Sequence, residues 1–232
     1  MKIFADLHIH SCLSPCADMD MTPGNICAMA KLKGLQAIGI TDHNSARNLH
    51  AAQHAANANG IVLLPGLEIA TREEVHLLAY FPALEQAIMA GDFFSSHLPK
   101  APNVPRIFGE QAVMDERDER IGEEERMLIA ATDVPLRKAV EEVKRLGGLA
   151  VPAHLNRGAN GLLINLGFLP EDIDFPALEV SPHQHIDTDI LRGKVILRSS
   201  DAHSLGDILE PTFSLDVKTL SASGILNALG YH

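Results

Sequence analysis

The stretch ADLHIHS, residues 5–11, ends a short apolar run at the amino terminus and places two histidines two residues apart. In a β-strand, residues i and i+2 project from the same face, so the spacing predicts that His8 and His10 lie side by side. Two neutral imidazoles pack poorly in an apolar core, but they are good ligands for one metal ion. A pair of surface histidines would give the same pattern, so the rest of the chain must distinguish the two interpretations.

The composition indicates a folded chain with a strongly acidic balance. The chain has 232 residues, 46% of them hydrophobic, and a formal net charge of −11. This apolar fraction is sufficient for a sizeable core. The negative charge opposes long-range attraction to nucleic acid and to anionic membranes, so we expect neither as a partner.

Three cysteines, Cys12, Cys16 and Cys27, cluster near the amino terminus. Their odd number argues against a disulfide framework and favours a reducing compartment. Thiolates could bind zinc, but we interpret Cys12 and Cys16 as small buried side chains. No apolar run approaches the roughly 18 residues of a membrane span, and the amino terminus lacks the pattern of a signal peptide. We therefore expect a cytoplasmic protein.

Strand-like and helical patterns alternate along most of the chain. Near-continuous apolar runs, typical of buried parallel strands, occupy residues 1–5, 35–41, 60–68, 75–81, 147–154, 174–180 and 195–201. Between them, Thr22 and Pro23 indicate the start of one helix. A second helix is expected to be capped by Thr132 or Asp133 and followed by Gly147. The alternation predicts βαβ units and a parallel sheet.

Residues 91–131 interrupt this alternation. The segment contains prolines, and between Gly109 and Met127 it has eight acidic residues and three arginines. We interpret it as a solvated excursion from the domain. A role as part of a lid over a site is the alternative.

Potential metal ligands recur near the ends of these strands. In chain order they are His8 and His10, Asp42 and His43, Glu68, His154, Glu179 with His183 and His185, and Asp201 with His203. The carboxyl ends of the strands are where an α/β barrel carries its active site, so we expect these side chains to converge there. His76 fits less well, because it lies early in its strand. His50, His54, His97 and His232 are assigned to the surface.

Four motifs in order resemble those of the PHP (polymerase and histidinol phosphatase) metallohydrolase family. They are DLHIHS, TDHN, PAH and SDAH, at residues 6–11, 41–44, 152–154 and 200–203. The resemblance implies an α/β fold, a distorted (β/α)7 TIM-like barrel, with up to three divalent ions at the carboxyl ends of the strands. It also implies a single PHP domain over residues 1–232, with an excursion at about 91–131.

The resemblance also implies the ligand sets. One ion would take His8, His10, Glu68 and Asp201; a second would share Glu68 and add His76 and His154; a third would take Asp18, His43 and His203. The spacer after the first motif is longer than the family's usual one, so Asp20 competes with Asp18. Mixed histidine and carboxylate ligation suits Zn, Mn or Fe.

Other polar residues are expected to support the site. We interpret Asp6 as a hydrogen-bond acceptor at a strand end, Asp42 as a residue that orients a neighbour such as His43, and Glu179, His183 and His185 as a polar rim. Arg157, three residues after His154, is proposed to bind the substrate phosphate. Arg47 and Arg198 are the alternatives, and a plain surface role remains open for all three arginines.

These residues favour a metal-dependent phosphoric monoester hydrolase in which metal-bound hydroxide attacks phosphorus, with His154 and Asp201 as catalytic ligands. We expect a small phosphorylated substrate, with a nucleotide favoured over histidinol phosphate. A single-strand nuclease of the polymerase-associated type and a non-catalytic metal-binding module are the alternatives. The sequence leaves the oligomeric state open.

Overall fold

The computed structural model describes residues 1–181 and 185–231, and its centre is a six-stranded mixed sheet. The strands are β1 (Lys2–Ile9), β2 (Ala37–Ile40), β3 (Val62–Ala70), β4 (His76–Tyr80), β5 (Ala112–Met114), β6 (Arg120–Glu123), β7 (Leu149–Pro152), β8 (Ala177–Glu179), β9 (Val195–Leu197) and β10 (Ser214–Asp216). Their order in the main sheet is β10-β1-β2-β3-β4-β7, and β5–β6 and β8–β9 form separate pairs. Each predicted strand is present, whereas β5, β6 and β10 were not predicted. His183 and His232 lie outside the described residues.

The direction of β4 departs from the expected parallel barrel. β1, β2 and β3 are parallel, but β4 is antiparallel to both β3 and β7. Residues 71–75 connect β3 to β4, and five residues are too few for the crossover that parallel neighbours need. The fold is therefore mixed α/β with a curled, partly open sheet, and a (β/α)7 barrel of parallel strands is not formed by the described residues.

The sheet curls so that several strand ends meet at one pole. Beyond the parallel pair β8–β9, Ala202 bridges Ile9 of β1, and its carbonyl accepts a hydrogen bond from the His10 N–H at 3.0 Å. Just after β7, the Leu155 N–H donates to the carbonyl of Glu179 at 2.8 Å. These bonds bring the ends of β1, β7, β8 and β9 together.

Seven helices surround the sheet in the described part of the chain. They are α1 (Pro23–Leu32), α2 (Leu49–Asn59), α3 (Leu84–Ser96), α4 (Pro105–Phe108), α5 (Leu136–Arg145), α6 (Leu162–Leu166) and α7 (Ala222–Ala228). Thr22 caps α1 by accepting a hydrogen bond from the Asn25 N–H, as predicted. The predicted cap at the start of α5 is wrong, because Pro135 holds the cap position and the Glu73 carboxylate accepts a hydrogen bond from the Leu136 N–H at 2.8 Å. A side chain from the β3–β4 connection thus accepts the hydrogen bond that a local cap residue would otherwise accept. Gly147 follows the end of the helix with a left-handed φ of 76°, as predicted.

Two apolar clusters hold the layers together. The larger cluster joins the sheet to α1, α2, α3 and α5 and includes Ile38, Ile69 and Phe94, all fully buried. The smaller cluster joins the other face of the sheet to α7, where Ile225 packs with Leu7 and other strand residues. None of the helices in the described ranges is long and apolar enough to cross a membrane.

The segment predicted as an excursion folds back onto the pole where the strands end. The hairpin β5–β6 is fixed to the loop after β1, because the Ala112 N–H donates to the carbonyl of Cys12. The Asn44 side-chain amide donates to the carbonyls of Leu128 and Ala130. The segment therefore covers the loops after β1 and β2 rather than extending into solvent.

Candidate metal centre

Glu68, near the end of β3, is the centre of a ring of imidazoles. Its side chain is 1% exposed, and five histidine nitrogens lie within 3.5 Å of its two oxygens. These are Nε2 of His8 (3.5 Å), Nε2 of His10 (3.3 Å), Nδ1 of His43 (3.1 Å), Nδ1 of His76 (2.9 Å) and Nε2 of His154 (3.3 Å). A buried carboxylate among so many imidazoles is the arrangement expected of a shared metal ligand.

Asp201 is a second carboxylate that contacts the same two amino-terminal histidines as Glu68. Its Oδ1 lies 3.1 Å from Nε2 of His10 and 3.3 Å from Nε2 of His8, and those two nitrogens are 3.2 Å apart. Asp201 has a left-handed backbone with φ of 55°, and His154 has φ of 29°. Non-glycine residues rarely adopt this region, and such strain often occurs at functional sites.

The reversed direction of β4 explains why His76 lies early in its strand. In the β3–β4 hairpin, His76 pairs with Ala70, two residues beyond Glu68. An antiparallel strand begins where its neighbour ends, so the start of β4 lies at the same pole as the end of β3. The side chain of Asn160 lies 2.6 Å from Nε2 of His76 and fixes the orientation of the ring. Asn160 was not predicted from the sequence, and its left-handed φ of 66° suits an asparagine.

The donor atoms form three overlapping groups that fit divalent ions. Within the described residues, the ligand atoms of each group lie within 4.8 Å of one another: His8, His10 and Asp201; His43, Glu68 and His76; and His10, Cys16, His43 and His203. Burial lowers the pKa of His43 well below its usual value, which favours the neutral imidazole that binds metals. Its buried Nδ1 makes no hydrogen bond within the described residues. An orphaned buried nitrogen is costly unless a ligand uses it, so the donor set fits a bound cation.

The loop after β1 brings in a different residue from the one expected. Asp18 is exposed, and its side chain belongs to none of the three groups. Asp20 is exposed as well. Cys16, by contrast, joins His43 and His203. The prediction of small buried cysteines is confirmed for Cys12 but is wrong for Cys16, which is exposed; Cys27 is buried as well.

Glu179 has a larger role than the polar rim predicted for it. Its carboxylate lies 3.0 Å from Nδ1 of His8 and accepts a hydrogen bond from the His154 backbone N–H at 2.8 Å. The carboxylate thus orients one histidine and the loop of another. Its position at the end of β8 was the signal available in the sequence. His185 is exposed.

Two buried aspartates support the centre from outside it. Asp6 accepts hydrogen bonds from the backbone N–H groups of Ser200 and Leu209, which confirms it as an acceptor. Asp42 accepts from the Ser14 hydroxyl at 2.7 Å, and that oxygen lies 3.1 Å from Nδ1 of His10. The same oxygen accepts a hydrogen bond from the His43 backbone N–H at 3.2 Å, so Asp42 supports both His10 and the backbone of His43 through Ser14.

The charged groups of the centre shift one another's pKa values: the carboxylates raise those of His8 and His10, and the imidazoles lower those of the carboxylates. Burial opposes a charge on His8, but the carboxylates of Glu179, Asp201 and Glu68 outweigh burial and hold the pKa of His8 well above its usual value. Burial also opposes a charge on His10, but hydrogen bonds to Asp201 and Glu68 raise its pKa to about 9. Despite burial, the imidazoles hold the pKa values of Glu68 and Asp201 well below the usual range. The centre therefore keeps its carboxylates ionised.

Two adjoining cavities open over the centre. One of about 290 Å³ is lined by Glu68 together with His43, His76, His154 and His203. The other, of about 570 Å³, shares His154, Arg157 and Asp201 with the first. The half-exposed Arg157 forms an ion pair with Asp201 at their junction, whereas Arg47 pairs with Glu124 of the excursion. Arg198 is exposed and lines neither cavity.

Comparison with known proteins supplies the family context. The model of the PHP domain family matches residues 6–156, about two thirds of the chain. No curated protein matches the sequence.

Solved structures with a similar fold include two endonucleases. The lesion-specific endonuclease Q from Pyrococcus furiosus is 21% identical, with a TM-score of 0.73. An endonuclease Q complexed with a 27-mer duplex bearing an abasic lesion at the active site is 22% identical, with a TM-score of 0.70. Both cover 99% of the chain, which spans only 56% and 57% of their length. A putative metal-dependent phosphoesterase from Bifidobacterium adolescentis is 19% identical with a TM-score of 0.54, covering 87% of this chain and 88% of its own.

One expectation from the sequence is overturned by these comparisons. The acidic net charge was taken to argue against nucleic acid as a partner, but a protein of the same fold has been solved with a DNA duplex at its active site. Net charge averages over the whole surface, whereas binding depends on the cations near the site. The net charge of −11 therefore does not exclude nucleic acid.

Proposed function

The chain belongs to the PHP domain family of metal-dependent phosphoesterases, and on that premise we propose that it hydrolyses a small phosphomonoester. The observation that carries the proposal is the junction of the two cavities. There the ligand cluster around Glu68 meets Arg157, which is half-exposed and forms an ion pair with Asp201. A phosphate that reached this junction would meet both the cation positions and a guanidinium.

We propose that up to three divalent ions, Zn, Mn or Fe, are held by the residues that the family resemblance named. His8, His10, Glu68 and Asp201 would hold one ion; Glu68, His76 and His154 a second; His43 and His203 a third. When bound, such ions supply the Lewis acidity that activates water and offsets the charge of a phosphoryl group.

The protein's own residues bind the substrate phosphate and orient the metal ligands. Arg157 presents two parallel N–H donors, which suit a phosphate better than a single ammonium does. Asp201 holds that guanidinium at the junction until a phosphate replaces it. Glu179 fixes His8 and the backbone of His154 together, so two ligands from distant strands keep a common geometry.

The larger cavity supports a small substrate with a polar leaving group. Its volume of about 570 Å³ lies within the usual range for small-molecule sites, about 300–1,000 Å³. Ser181, Ser199 and Ser200 line it beside the apolar side chains of Val180 and Leu209. The buried Ser199 hydroxyl has no hydrogen-bond partner within the described ranges. These groups suit a sugar, which favours a nucleotide over histidinol phosphate.

A nuclease is the second candidate, and the structural similarity to endonuclease Q favours it. The two functions share the cation positions but differ in what enters the larger cavity. A small phosphomonoester would end there, whereas a strand would continue past it. Residues 1–232 are proposed to act as one PHP domain, with the 91–131 segment as part of the rim.

The test is release of inorganic phosphate by manganese- and zinc-loaded protein. The panel contains adenosine 3′,5′-bisphosphate, 5′-mononucleotides, histidinol phosphate, a single-stranded oligonucleotide and a duplex with an abasic site; cleavage of the last two is followed on gels. Release from one small ester, lost in His154→Ala, would support the proposal. Cleavage of the oligonucleotides alone would instead favour the nuclease. Metal-loaded protein that was inactive on every substrate of the panel would favour a non-catalytic module.

Arg157→Ala separates phosphate binding from cation binding. We expect the KM for the small ester to rise at least about tenfold, in line with the loss of a charge-assisted hydrogen bond, while the bound metal content stays the same. Arg192→Ala, at an exposed arginine, is the matched control. An unchanged KM would remove Arg157 from the substrate site.

A further inference from the structure

We propose that Cys16 is a thiolate ligand of the third cation position and makes that position select zinc over manganese. The inference deepens the proposed function, because it assumes that the centre binds divalent ions. It assigns to this chain a sulfur donor at the place where the family resemblance implied the carboxylate of Asp18.

The first support is the geometry of the loop after β1. The ligand atoms of Cys16, His43 and His203 lie within 4.8 Å of one another. The loop is closed by a hydrogen bond from the Cys12 N–H to the carbonyl of Met21 at 2.8 Å. Asp18 contributes to this region through its backbone, since its N–H donates to the carbonyl of His203 at 2.8 Å. Its carboxylate takes no part in the group.

The second support is independent of the cysteine. His43 is 5% exposed, and its Nδ1 has no hydrogen-bond partner within the described residues, although it lies 3.1 Å from Oε2 of Glu68. An imidazole buried in this way needs a ligand to satisfy its nitrogen. His43 belongs to the donor group of Cys16 as well as to that of Glu68 and His76, so its imidazole is placed to bind an ion at the third position.

The three cysteines also differ in their surroundings. The thiol of Cys12 lies 3.9 Å from the carbonyl of Ala112, and the thiol of Cys27 lies 3.9 Å from the carbonyl of Ala52. Both residues are fully buried. Cys16 is exposed, lines the smaller cavity and makes no hydrogen bond with its thiol within the described residues. Its environment is that of a group available to a ligand.

Ligand chemistry then sets the preference for the ion. On binding, the Cys16 S–H bond breaks, its proton passes to solvent, and the sulfur keeps the electron pair that it shares with the cation. Thiolate with imidazole suits zinc and cobalt, whereas carboxylate, carbonyl and water suit manganese and magnesium. The other two positions contain imidazole and carboxylate alone, so the third should be the most zinc-selective.

Cobalt reports the sulfur ligand directly. A cobalt–thiolate bond gives a charge-transfer absorption band in the near ultraviolet, which imidazole and carboxylate ligands do not give. We expect the band when metal-free full-length protein is titrated with Co²⁺, and we expect Cys16→Ser to lose it together with one bound equivalent per chain. Cys12→Ala should keep the band. Cys16→Asp should lose the band, regain the equivalent and take up manganese there in competition with zinc.

The outcomes separate this inference from the proposed function. Cobalt binding at full stoichiometry without the band, or a band that persists in Cys16→Ser, would overturn the Cys16 assignment and leave the phosphoesterase proposal standing. If Asp18→Ala lost one bound equivalent of cobalt per chain and Cys16→Ser did not, Asp18 would be the ligand of the third cation position. Failure of the protein to bind any divalent ion would overturn both proposals.

Alkylation of the unaltered protein tests the Cys16 assignment without any variant, and it therefore applies even if a variant does not fold. Iodoacetamide should alkylate Cys16 faster than Cys12 or Cys27, because only Cys16 is exposed. Zinc should slow the alkylation of Cys16 at least tenfold, as followed by peptide mass mapping. Equal rates with and without zinc, in protein shown to contain it, would overturn the assignment.

Discussion

The centre is assembled from two kinds of backbone, and the comparison between them explains much of the site. His8 and Glu68 come from long strands, and both side chains are at most 1% exposed. His154 and Asp201 come from loops with left-handed φ angles, and Cys16 lies on an exposed loop. Ladder hydrogen bonds position the first kind of residue. Local strain and contacts between loops position the second kind.

Removing the strand-borne carboxylate should break the centre most severely. Glu68→Gln leaves five imidazoles facing a neutral amide, and Glu68 is common to two proposed cation sets. Changes to outer-shell residues alone cost about 10–100-fold in metal affinity or activity, so we expect turnover to fall by more than that. Glu74→Gln, at an exposed glutamate in the β3–β4 connection, is the control and should retain full phosphate release. Turnover within tenfold of the unaltered protein would contradict the central role of Glu68.

Glu179 links the two kinds of backbone, and its loss should have a smaller effect. Glu179→Gln keeps the shape of the side chain but removes the charge that faces Nδ1 of His8. We expect a loss of about 10–100-fold in metal affinity or turnover, as for other residues that orient ligands. Metal titration by calorimetry measures the first and phosphate release the second. Glu171→Gln, at an exposed site, should change neither, and a Glu179 variant that behaved like it would refute the linking role.

The pH dependence of stability in metal-free protein reports the charge balance of the strand-borne histidines. The pKa of His10 is about 9 in the folded protein, against an ordinary value of 6.5. A raised histidine pKa stabilises the folded state fully below pH 6.5, and the contribution is lost as pH rises to about 9. His43, whose pKa is lowered, acts below this window in the opposite direction.

We therefore expect the urea midpoint of chelator-treated protein to fall between pH 6.5 and 9. His10→Asn should flatten this slope. Zinc-saturated protein should show a reduced or reversed slope, because neutral imidazoles bind metal better than protonated ones. A midpoint in the metal-free protein that rises across the window would contradict the charge balance.

The smallest effect is expected where the excursion rests on the loop that carries Cys16. Gly109 has φ of 102°, and a Cβ there would lie 1.8 Å from the carbonyl oxygen of Pro15. Gly109→Ala should cost about 1–3 kcal/mol of stability and increase hydrogen exchange in the excursion. Gly122→Ala in β6 is the control, because its Cβ would meet nothing within 4 Å. Equal urea midpoints for the two variants would show that the contact is not required.

The same comparison explains what the sequence could predict. Periodicity in the sequence identified the strands. The recurrence of potential ligands at the strand ends predicted the pole of the fold at which these side chains meet. The reversal of β4 was missed because its turn contains no glycine, proline or asparagine, and Glu74 adopts φ of 58° instead. The proximity of Cys16 to His43 and His203 was not predicted because it depends on how one loop folds back. Glu179 was undervalued because its partners, His8 and His154, are distant in sequence.

The β3–β4 hairpin also has a consequence for the order in which the centre forms. It brings Glu68 and His76 together across only eight residues, whereas His10 and Asp201 meet across 191. Closing a short loop costs less chain entropy than closing a long one, and local contacts form earlier in folding. We therefore expect two of the three residues of one ligand set to be in contact in early folding intermediates, and the contact between His10 and Asp201 to be among the last formed. A chain folding in the presence of zinc would then encounter its first binding residues well before the pole is complete.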